Sequence, residues 1–293
     1  MSMRYICSTI LLFLITMSYC GTSEPNESGV YGPVKSIKKY VAKVHYEDGK
    51  EVIGDEILDK KYSYSPDGLL EEEESFNQDG ELEMKKVYTY FKNRKLKKTE
   101  VISQDKGPGN GEYRFRLAST IWEYKINDKG AYTKATWGGD NVIIRREYNL
   151  NDVGDRVVSA VDYWMHNEKK YMKMEFDKNE RMINRINYRS DYAGEEKTKI
   201  EYASMFRKRV VSKVEEDISG NVERQTEETY DNNGWPEHRV ITDAEGGFIE
   251  EWEYRYEDID SHGNWGTEKS FIHARVTDDF KLVILTRREI TYY

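Results

Sequence analysis

The residues of this sequence that could carry out chemistry lie far apart along the chain. Asp258, Asp260 and His262 form a close cluster that either binds a hard cation or makes a turn in which Asp accepts backbone hydrogen bonds. The turn is the better-supported alternative. The histidines lack the H-x-x-x-H or H-E-x-x-H spacing that places two imidazoles on one helix face, and they are His45, His166, His238, His262 and His273. We expect no metal and no cofactor.

Signatures of catalysis are weak as well. No G-x-S-x-G, Walker-type or G-x-G-x-x-G loop stands in a suitable context, and Gly107–Gly111 lacks the following Lys-Ser/Thr of a phosphate-binding loop. With 54 acidic residues, carboxylate pairs suited to glycoside hydrolysis occur by chance and none stands out. The sequence therefore predicts a protein that is not an enzyme, and a hydrolase with a carboxylate pair in the curve of a sheet is the open alternative.

Three tryptophans are the strongest candidates for a ligand platform. Trp137, Trp164 and Trp235 lie outside the main aromatic register, near turns or on second strands, where an exposed indole could stack on a sugar ring or a partner. The alternative is that each indole covers the edge of a neighbouring hairpin. Trp265 follows a Gly-Asn turn and is expected to plug the end of the sheet, because repeat arrays require a cap.

The composition predicts a folded, polar protein that is rich in aromatic residues. Of its 293 residues, 34% are charged and 38% are hydrophobic, whereas an average chain carries about 25% charged residues. An aromatic content of 13% argues against disorder. The formal net charge is −9, with acidic residues spread along the chain, and this argues against nucleic acid as a partner because such binding needs clustered Lys and Arg.

The beginning of the chain has the order of an export signal. Arg4 precedes the apolar run Tyr5–Met17, which is too short to cross a bilayer of about 30 Å. Cys20 follows, with a small polar stretch after it, and this arrangement resembles a bacterial lipoprotein signal. It implies removal of residues 1–19, a lipid on Cys20, a flexible tether over 20–33 and attachment to a membrane of the cell envelope, the outer membrane by preference. An ordinary signal peptide that ends in a chance cysteine is the alternative.

The remainder of the chain is a weak tandem repeat. A large aromatic anchor recurs at intervals of 26, 34, 24, 28, 26, 28 and 26 residues, each time directly after a polar residue, at Tyr64, Tyr90, Tyr124, Tyr148, Phe176, Tyr202, Tyr230 and Tyr256. A large side chain usually stands two positions before the anchor. Since alternate residues of a strand share a face, this pattern predicts antiparallel strands with one aromatic and one wet face, joined by Asn/Asp/Gly turns. Almost no helix is expected.

A single unit of about 26 residues cannot fold by itself, because ordering its backbone costs more than two buried aromatic side chains return. The units must therefore stack. We predict an all-β fold in which tandem antiparallel β-hairpins over 34–293 form a long curved meander sheet. The sequence does not decide whether this sheet closes into a shell with the tyrosines inside. An open array would leave two exposed edge strands, through which the protein could oligomerise.

The repeat resembles a known family. The Tyr-x-Tyr anchor with its turn glycine is similar to the YD repeats of Rhs-like proteins, and Tyr254–Trp265 is the clearest copy. The chain also resembles repeat-bearing Gram-negative envelope lipoproteins of unknown function that end in a Gly-Asn-Trp unit and a final Arg-x-x-x-Tyr-Tyr strand, here Arg288–Tyr293. The resemblance covers roughly residues 34–293 and implies the hairpin architecture.

These observations favour a non-enzymatic, lipid-anchored envelope protein whose β-repeat surface serves binding or scaffolding. A carbohydrate-binding or carbohydrate-processing accessory protein of the cell surface is the alternative, and it depends on the tryptophans outside the register. The expected partners are a membrane, through the lipid anchor, and a glycan or protein ligand.

Overall fold

The computed structural model describes residues 30–293 except 104–119, 139–141, 166–168, 189–194, 203–209, 218 and 275–279. The described residues form nineteen strands, all paired antiparallel, and contain no helix. The predicted fold class, an antiparallel array of hairpins, is therefore confirmed. The strands are β1 Val34–Glu47, β2 Lys50–Ile53, β3 Ile57–Tyr64, β4 Leu70–Phe76, β5 Leu82–Tyr90, β6 Leu96–Ser103, β7 Thr120–Ile126, β8 Tyr132–Gly138, β9 Val142–Leu150, β10 Val157–Trp164, β11 Lys170–Phe176, β12 Met182–Tyr188, β13 Glu195–Tyr202, β14 Val210–Glu216, β15 Val222–Tyr230, β16 Pro236–Asp243, β17 Phe248–Glu257, β18 Thr267–Ala274 and β19 Lys281–Tyr292.

The sheet closes into a barrel of 18 strands. From β3 to β19 each strand pairs with the next in sequence, and β1 lies between the two ends of this series. Ile37 of β1 is opposite Ile290 of β19 on one side and Tyr62 of β3 on the other. The short β2 pairs with the last residues of β1 and forms a hairpin with it. The repeat left undecided whether the sheet is open or closed, and the structure shows a closed sheet, because a long twisted sheet removes its exposed edges by closing.

The hairpin turns share one hydrogen-bonding pattern. In the turn 243–247, the Gly246 amide donates to the Asp243 carbonyl at 3.1 Å, and the Asp243 Oδ1 atom accepts from the Glu245 and Gly247 amides at 3.2 and 2.6 Å. Gly246 has a φ of 77°, a left-handed conformation that favours glycine. This pattern explains why Asp or Asn recurs three residues before Gly at the bends of the sequence.

The two faces of the sheet differ as the repeat predicted. Tyr88 is 7% exposed, whereas the next residue, Thr89, is exposed. Trp122 and Tyr124 are 2% and 6% exposed, and Glu123 between them is exposed. The anchors therefore lie on the inner face of the barrel, and the residues between them lie on the outer face.

The barrel has two distinct ends. One end, which we call the clasp end, holds the start of β1, the end of β19 and the turns 65–69, 91–95, 127–131, 151–156, 177–181, 231–235 and 258–266. The opposite end, which we call the hairpin end, holds the β1–β2 hairpin. Val30, Val34, Tyr64 and Leu70 belong to a buried cluster of the inner face. Trp265 is 9% exposed at the clasp end, where Tyr256 and the Arg288 guanidinium pack on its ring.

Candidate functional site

The outer face of the barrel carries ladders of charged side chains. Lys61 Nζ and Lys85 Nζ lie 2.9 Å from carboxylate oxygens of Glu74 and Glu72 on the neighbouring strand. Similar pairs recur around the barrel, as Lys98–Glu100, Arg145–Glu147, Lys173–Glu175, Arg255–Glu253 and Arg287–Glu289. A barrel wall that faces lipid needs an outward apolar band. The outward residues that the structure describes do not form a continuous one.

The inner face combines aromatic side chains with buried ion pairs. Arg146 donates from Nε and Nη2 to the two carboxylate oxygens of Asp162, at 2.7 and 2.8 Å, and its guanidinium lies 5.0 Å from the Trp122 ring centroid. Burial acts to lower the pKa of Arg146, but the Asp162 carboxylate outweighs burial and raises this pKa well above its usual value. This pairing is bidentate, the geometry in which Arg holds a carboxylate most strongly.

A second buried group surrounds Glu73. Its carboxylate accepts from Lys86 Nζ at 3.2 Å and from the Tyr88 hydroxyl at 2.9 Å, and Lys60 Nζ lies 3.7 Å away. Glu73 is 3% exposed and Lys86 is 6% exposed. Burial lowers the pKa of Lys60, and Glu73 acts in the opposite direction. The Glu73 carboxylate is therefore held between two ammonium groups and a tyrosine hydroxyl.

Two of the three candidate tryptophans lie on the inner face near the hairpin end, two strands apart. Trp137 of β8 and Trp164 of β10 are both opposite Ile144 of β9. The Trp164 ring lies 4.8 Å from the Tyr171 ring, and the Trp137 ring lies 6.4 Å from that of Trp122. Trp137 and Trp164 are half-buried, so both indoles keep accessible surface. We call Trp137, Trp164 and Tyr171, on β8, β10 and β11, the aromatic row of the inner wall.

Trp235 does not join this row. It lies at the clasp end, is 7% exposed and packs on Tyr256 with ring centroids 5.1 Å apart. The expectation of an exposed indole at Trp235 was wrong, because the turn 231–235 directs its last residue toward the inner face. Cys20 lies outside the described residues.

The Asp258, Asp260 and His262 cluster forms a turn. Asp260 Oδ1 accepts hydrogen bonds from the backbone amides of His262 and Asn264, at 2.8 and 2.9 Å, and Asp260 Oδ2 accepts from the Tyr292 hydroxyl. Burial acts to raise the pKa of Asp260, but these hydrogen bonds hold it below its usual value. Among the described residues, no group of three or more His, Cys, Asp or Glu side chains is arranged to hold a metal ion.

A further aromatic group lines the inner face on β15 to β18. The Trp252 and Tyr254 rings stack at 6.4 Å, and the Arg239 guanidinium lies 5.6 Å from the Tyr254 ring centroid. Arg239 Nε donates to Glu228 at 2.7 Å. Burial raises the pKa of Tyr254 to about 12. Burial also raises the pKa of Glu268, a carboxyl on the neighbouring strand.

The residue that sequence reasoning missed is Arg185 on β12. It is 8% exposed and is opposite Met174 of β11 and Thr198 of β13, on the inner face. Its Nη2 atom donates to Thr198 Oγ1 at 3.4 Å, and its Nε atom has no hydrogen-bond partner. Within the described chain, no carboxylate oxygen forms an ion pair with it. The sequence around Arg185 carries no signal, since inward and outward residues of β12 do not alternate in hydrophobicity.

Comparisons with known proteins leave the family open. No family model matches the chain, and no curated protein matches it. Among solved structures, a porin-like protein from Bacteroides uniformis is similar over 89% of this chain and 98% of its own, with 13% identity and a TM-score of 0.41. A porin-like protein from Bacteroides vulgatus covers the same shares, with 10% identity and a TM-score of 0.32. A Photorhabdus luminescens Tc holotoxin pore matches 80% of this chain with 13% of its own, at 11% identity and a TM-score of 0.36. Likeness at this level indicates no function.

Within the part of the chain that the structure describes, no helix has the length and hydrophobicity of a transmembrane span.

Proposed function

We propose that this chain is a non-enzymatic, lipid-anchored protein of the cell envelope that binds a glycan inside its barrel. The observation that carries the proposal is the half-buried aromatic row of Trp137, Trp164 and Tyr171 on the inner wall. Aromatic faces next to polar side chains suit sugar rings, which have apolar faces and polar edges. The outer face offers ion-paired side chains instead.

We propose that the ligand enters the barrel from the hairpin end. Trp137 and Trp164 lie at the ends of β8 and β10 that point toward the hairpin end. At the clasp end, Val30 is 2% exposed, and the Tyr31 hydroxyl donates to the Asn233 carbonyl at 3.2 Å. The residues before β1 therefore contact a turn of the clasp end, whereas the aromatic row lies toward the hairpin end.

A glycan array probed with the full-length protein tests the binding function. We expect retention of a subset of glycans and a loss of at least tenfold in affinity for Trp164→Ala and Trp137→Ala. Tyr46→Ala is the control, because Tyr46 is 39% exposed on the β1–β2 hairpin, away from the row. Binding that survives both tryptophan substitutions would contradict an interior site.

The non-enzymatic part of the proposal has its own test. A bound glycan incubated with the protein should be recovered intact by mass spectrometry, because Asp162, Glu73 and Glu228 are engaged by cations of the inner face. Cleavage that disappears in Glu268→Gln would identify a hydrolase instead, since Glu268 is the inner-face carboxyl whose pKa burial raises.

Anchoring by lipid is supported by the sequence around Cys20 and by the charged outer face, which suits water more than a bilayer interior. Mass spectrometry of the mature N-terminus should find acyl chains on Cys20. Cys20→Ala should release the protein from membranes. An unmodified cysteine at the mature N-terminus would end this part of the proposal and leave the barrel-interior site untouched.

A further inference from the structure

Arg185 differs from three other arginines of the inner face in having neither an ion pair nor a short hydrogen bond within the described chain. Arg146 holds Asp162 bidentately, Arg239 holds Glu228, and Arg288 donates to the Trp265 carbonyl while it stacks on the Trp265 ring at 3.3 Å. Arg185 makes one long hydrogen bond to Thr198. Burial lowers the pKa of Arg185, and Glu215, Tyr171 and Glu196 act in the opposite direction. Glu196 is opposite Asn187 and Glu215 is opposite Thr198 on the same inner face, but neither forms an ion pair with Arg185 within the described chain.

A buried cation without a partner is costly for folding. Removing a charged group from water costs several kcal/mol unless an opposite charge or hydrogen bonds replace the water. The unpaired atom, Nε, belongs to the Nε–Nη2 edge of the guanidinium, which is suited to gripping a carboxylate through two parallel hydrogen bonds. Such an uncompensated charge in a folded protein favours a ligand as its partner.

The neighbours of Arg185 indicate what kind of ligand this is. Asn187, two residues along the same inner face, has a buried Oδ1 atom without a hydrogen-bond donor. A guanidinium Nε atom and an amide oxygen that both lack hydrogen-bond partners suit a molecule that carries both a carboxylate and a hydroxyl group. Asn187 is opposite Met172, and Tyr171, whose ring contacts Trp164, precedes Met172. The aromatic row and the two polar groups therefore lie on adjoining strands.

We infer that Arg185 and Asn187 form the recognition site for a carboxylate-bearing sugar, with the carboxylate on the guanidinium edge and a ring hydroxyl on the Asn187 amide oxygen. This inference rests on the proposed function and names the class of glycan that the barrel binds. Met174 is opposite Arg185 and Met172 is opposite Asn187, and the unbranched side chains of these methionines adapt readily to a neighbouring group.

Calorimetry with two matched probes tests the inference. Galacturonic-acid oligosaccharides carry the carboxylate, and galactose oligosaccharides of the same length lack it. The full-length protein should bind the acidic probe at least tenfold more tightly than the neutral one. Arg185→Met should abolish this preference. Arg185→Lys should weaken it, because an ammonium keeps the charge but cannot donate the two parallel hydrogen bonds of a guanidinium. Arg255→Met is the control, since Arg255 is on the outer face and pairs with Glu253.

Thermal stability separates a binding role from a structural one. An arginine that stabilises the fold would lower the melting temperature when replaced, whereas Arg185→Met should keep or raise it because it removes an uncompensated buried charge. A lowered melting temperature, or a preference for the acidic probe that survives in Arg185→Met, would overturn the inference.

Failure of the inference is distinguishable from failure of the proposed function. Equal affinity for acidic and neutral probes that is lost in Trp164→Ala would overturn the acidic-sugar site and leave glycan binding in place. The protein could instead bind neither probe and bind a glutamate-rich peptide in a way that depends on Arg185. This result would overturn the proposal that the ligand is a sugar and would assign the site to an acidic peptide.

Discussion

Asn264 holds the Tyr31 backbone through two hydrogen bonds that span 233 residues of sequence. The Tyr31 amide donates to Asn264 Oδ1 at 2.6 Å, and Asn264 Nδ2 donates to the Tyr31 carbonyl at 2.8 Å and to the Tyr292 hydroxyl at 2.7 Å. Asn264 is 1% exposed. One buried amide therefore joins the start of the described chain, the turn before β18 and the last strand. We call these three residues the clasp.

Asn264→Ala should destabilise the barrel by about 2 to 4 kcal/mol, because it removes the three hydrogen bonds of a buried amide, two of which hold the Tyr31 backbone. Urea denaturation measures the free energy of unfolding. Asn149→Ala is the control, since Asn149 is exposed and bonds only the Ser159 hydroxyl, so its effect should stay within about 0.5 kcal/mol. Equal effects of the two substitutions would contradict a closing role for the clasp.

Asp162→Ala should cost about 3 to 5 kcal/mol of stability, because it leaves the Arg146 guanidinium buried and uncompensated. The double variant Arg146→Met with Asp162→Met should lose far less, since two apolar side chains replace both charges. Chemical denaturation of the two single variants and the double variant gives the coupling energy. Additive losses would mean that the two side chains do not stabilise one another.

Tyr202→Phe should make the barrel less sensitive to alkali. Burial raises the pKa of Tyr202 to about 12, and its hydroxyl donates to the Met182 carbonyl at 2.8 Å. Above a pH of about 10 the unfolded tyrosine releases its proton while the folded one keeps it, so stability falls as pH rises from about 10 to 12. Unfolding at a series of alkaline pH values should show a shallower decline in the variant. An equally steep decline in the variant and the parent would contradict this prediction.

Gly246→Ala should destabilise the turn by about 1 kcal/mol, because φ at this position is 77° and a Cβ atom is disfavoured there. No atom lies within 4 Å of an added Cβ, so the cost comes from the backbone alone. Gly246→Asn should lose less, since Asn tolerates the left-handed region better. Thermal unfolding compares the two variants, and an alanine variant as stable as the parent would contradict the argument.

The sequence was sufficient for the local architecture. Alternation of large and polar residues around Tyr88, Tyr124 and the other anchors predicted strands with an aromatic inner face, because side chains of a strand alternate with period two. Asn, Asp and Gly residues at the bends predicted the turns, because a side-chain oxygen that bonds its own backbone is a local interaction. Each of these signals acts over a few residues, which is why it can be read without the fold.

Only the tertiary structure decided closure and the site. Pairing of β1 with β19 joins residues about 250 positions apart in the chain, and the repeat continues unchanged whether or not its ends meet. The same limit applied to single side chains. Trp235 is buried because its turn folds inward. Arg185 forms no ion pair within the described chain, although the strand register places Glu196 opposite Asn187 and Glu215 opposite Thr198 on the same face. Burial and pairing depend on neighbours that the chain brings together from distant segments, and no local pattern encodes them.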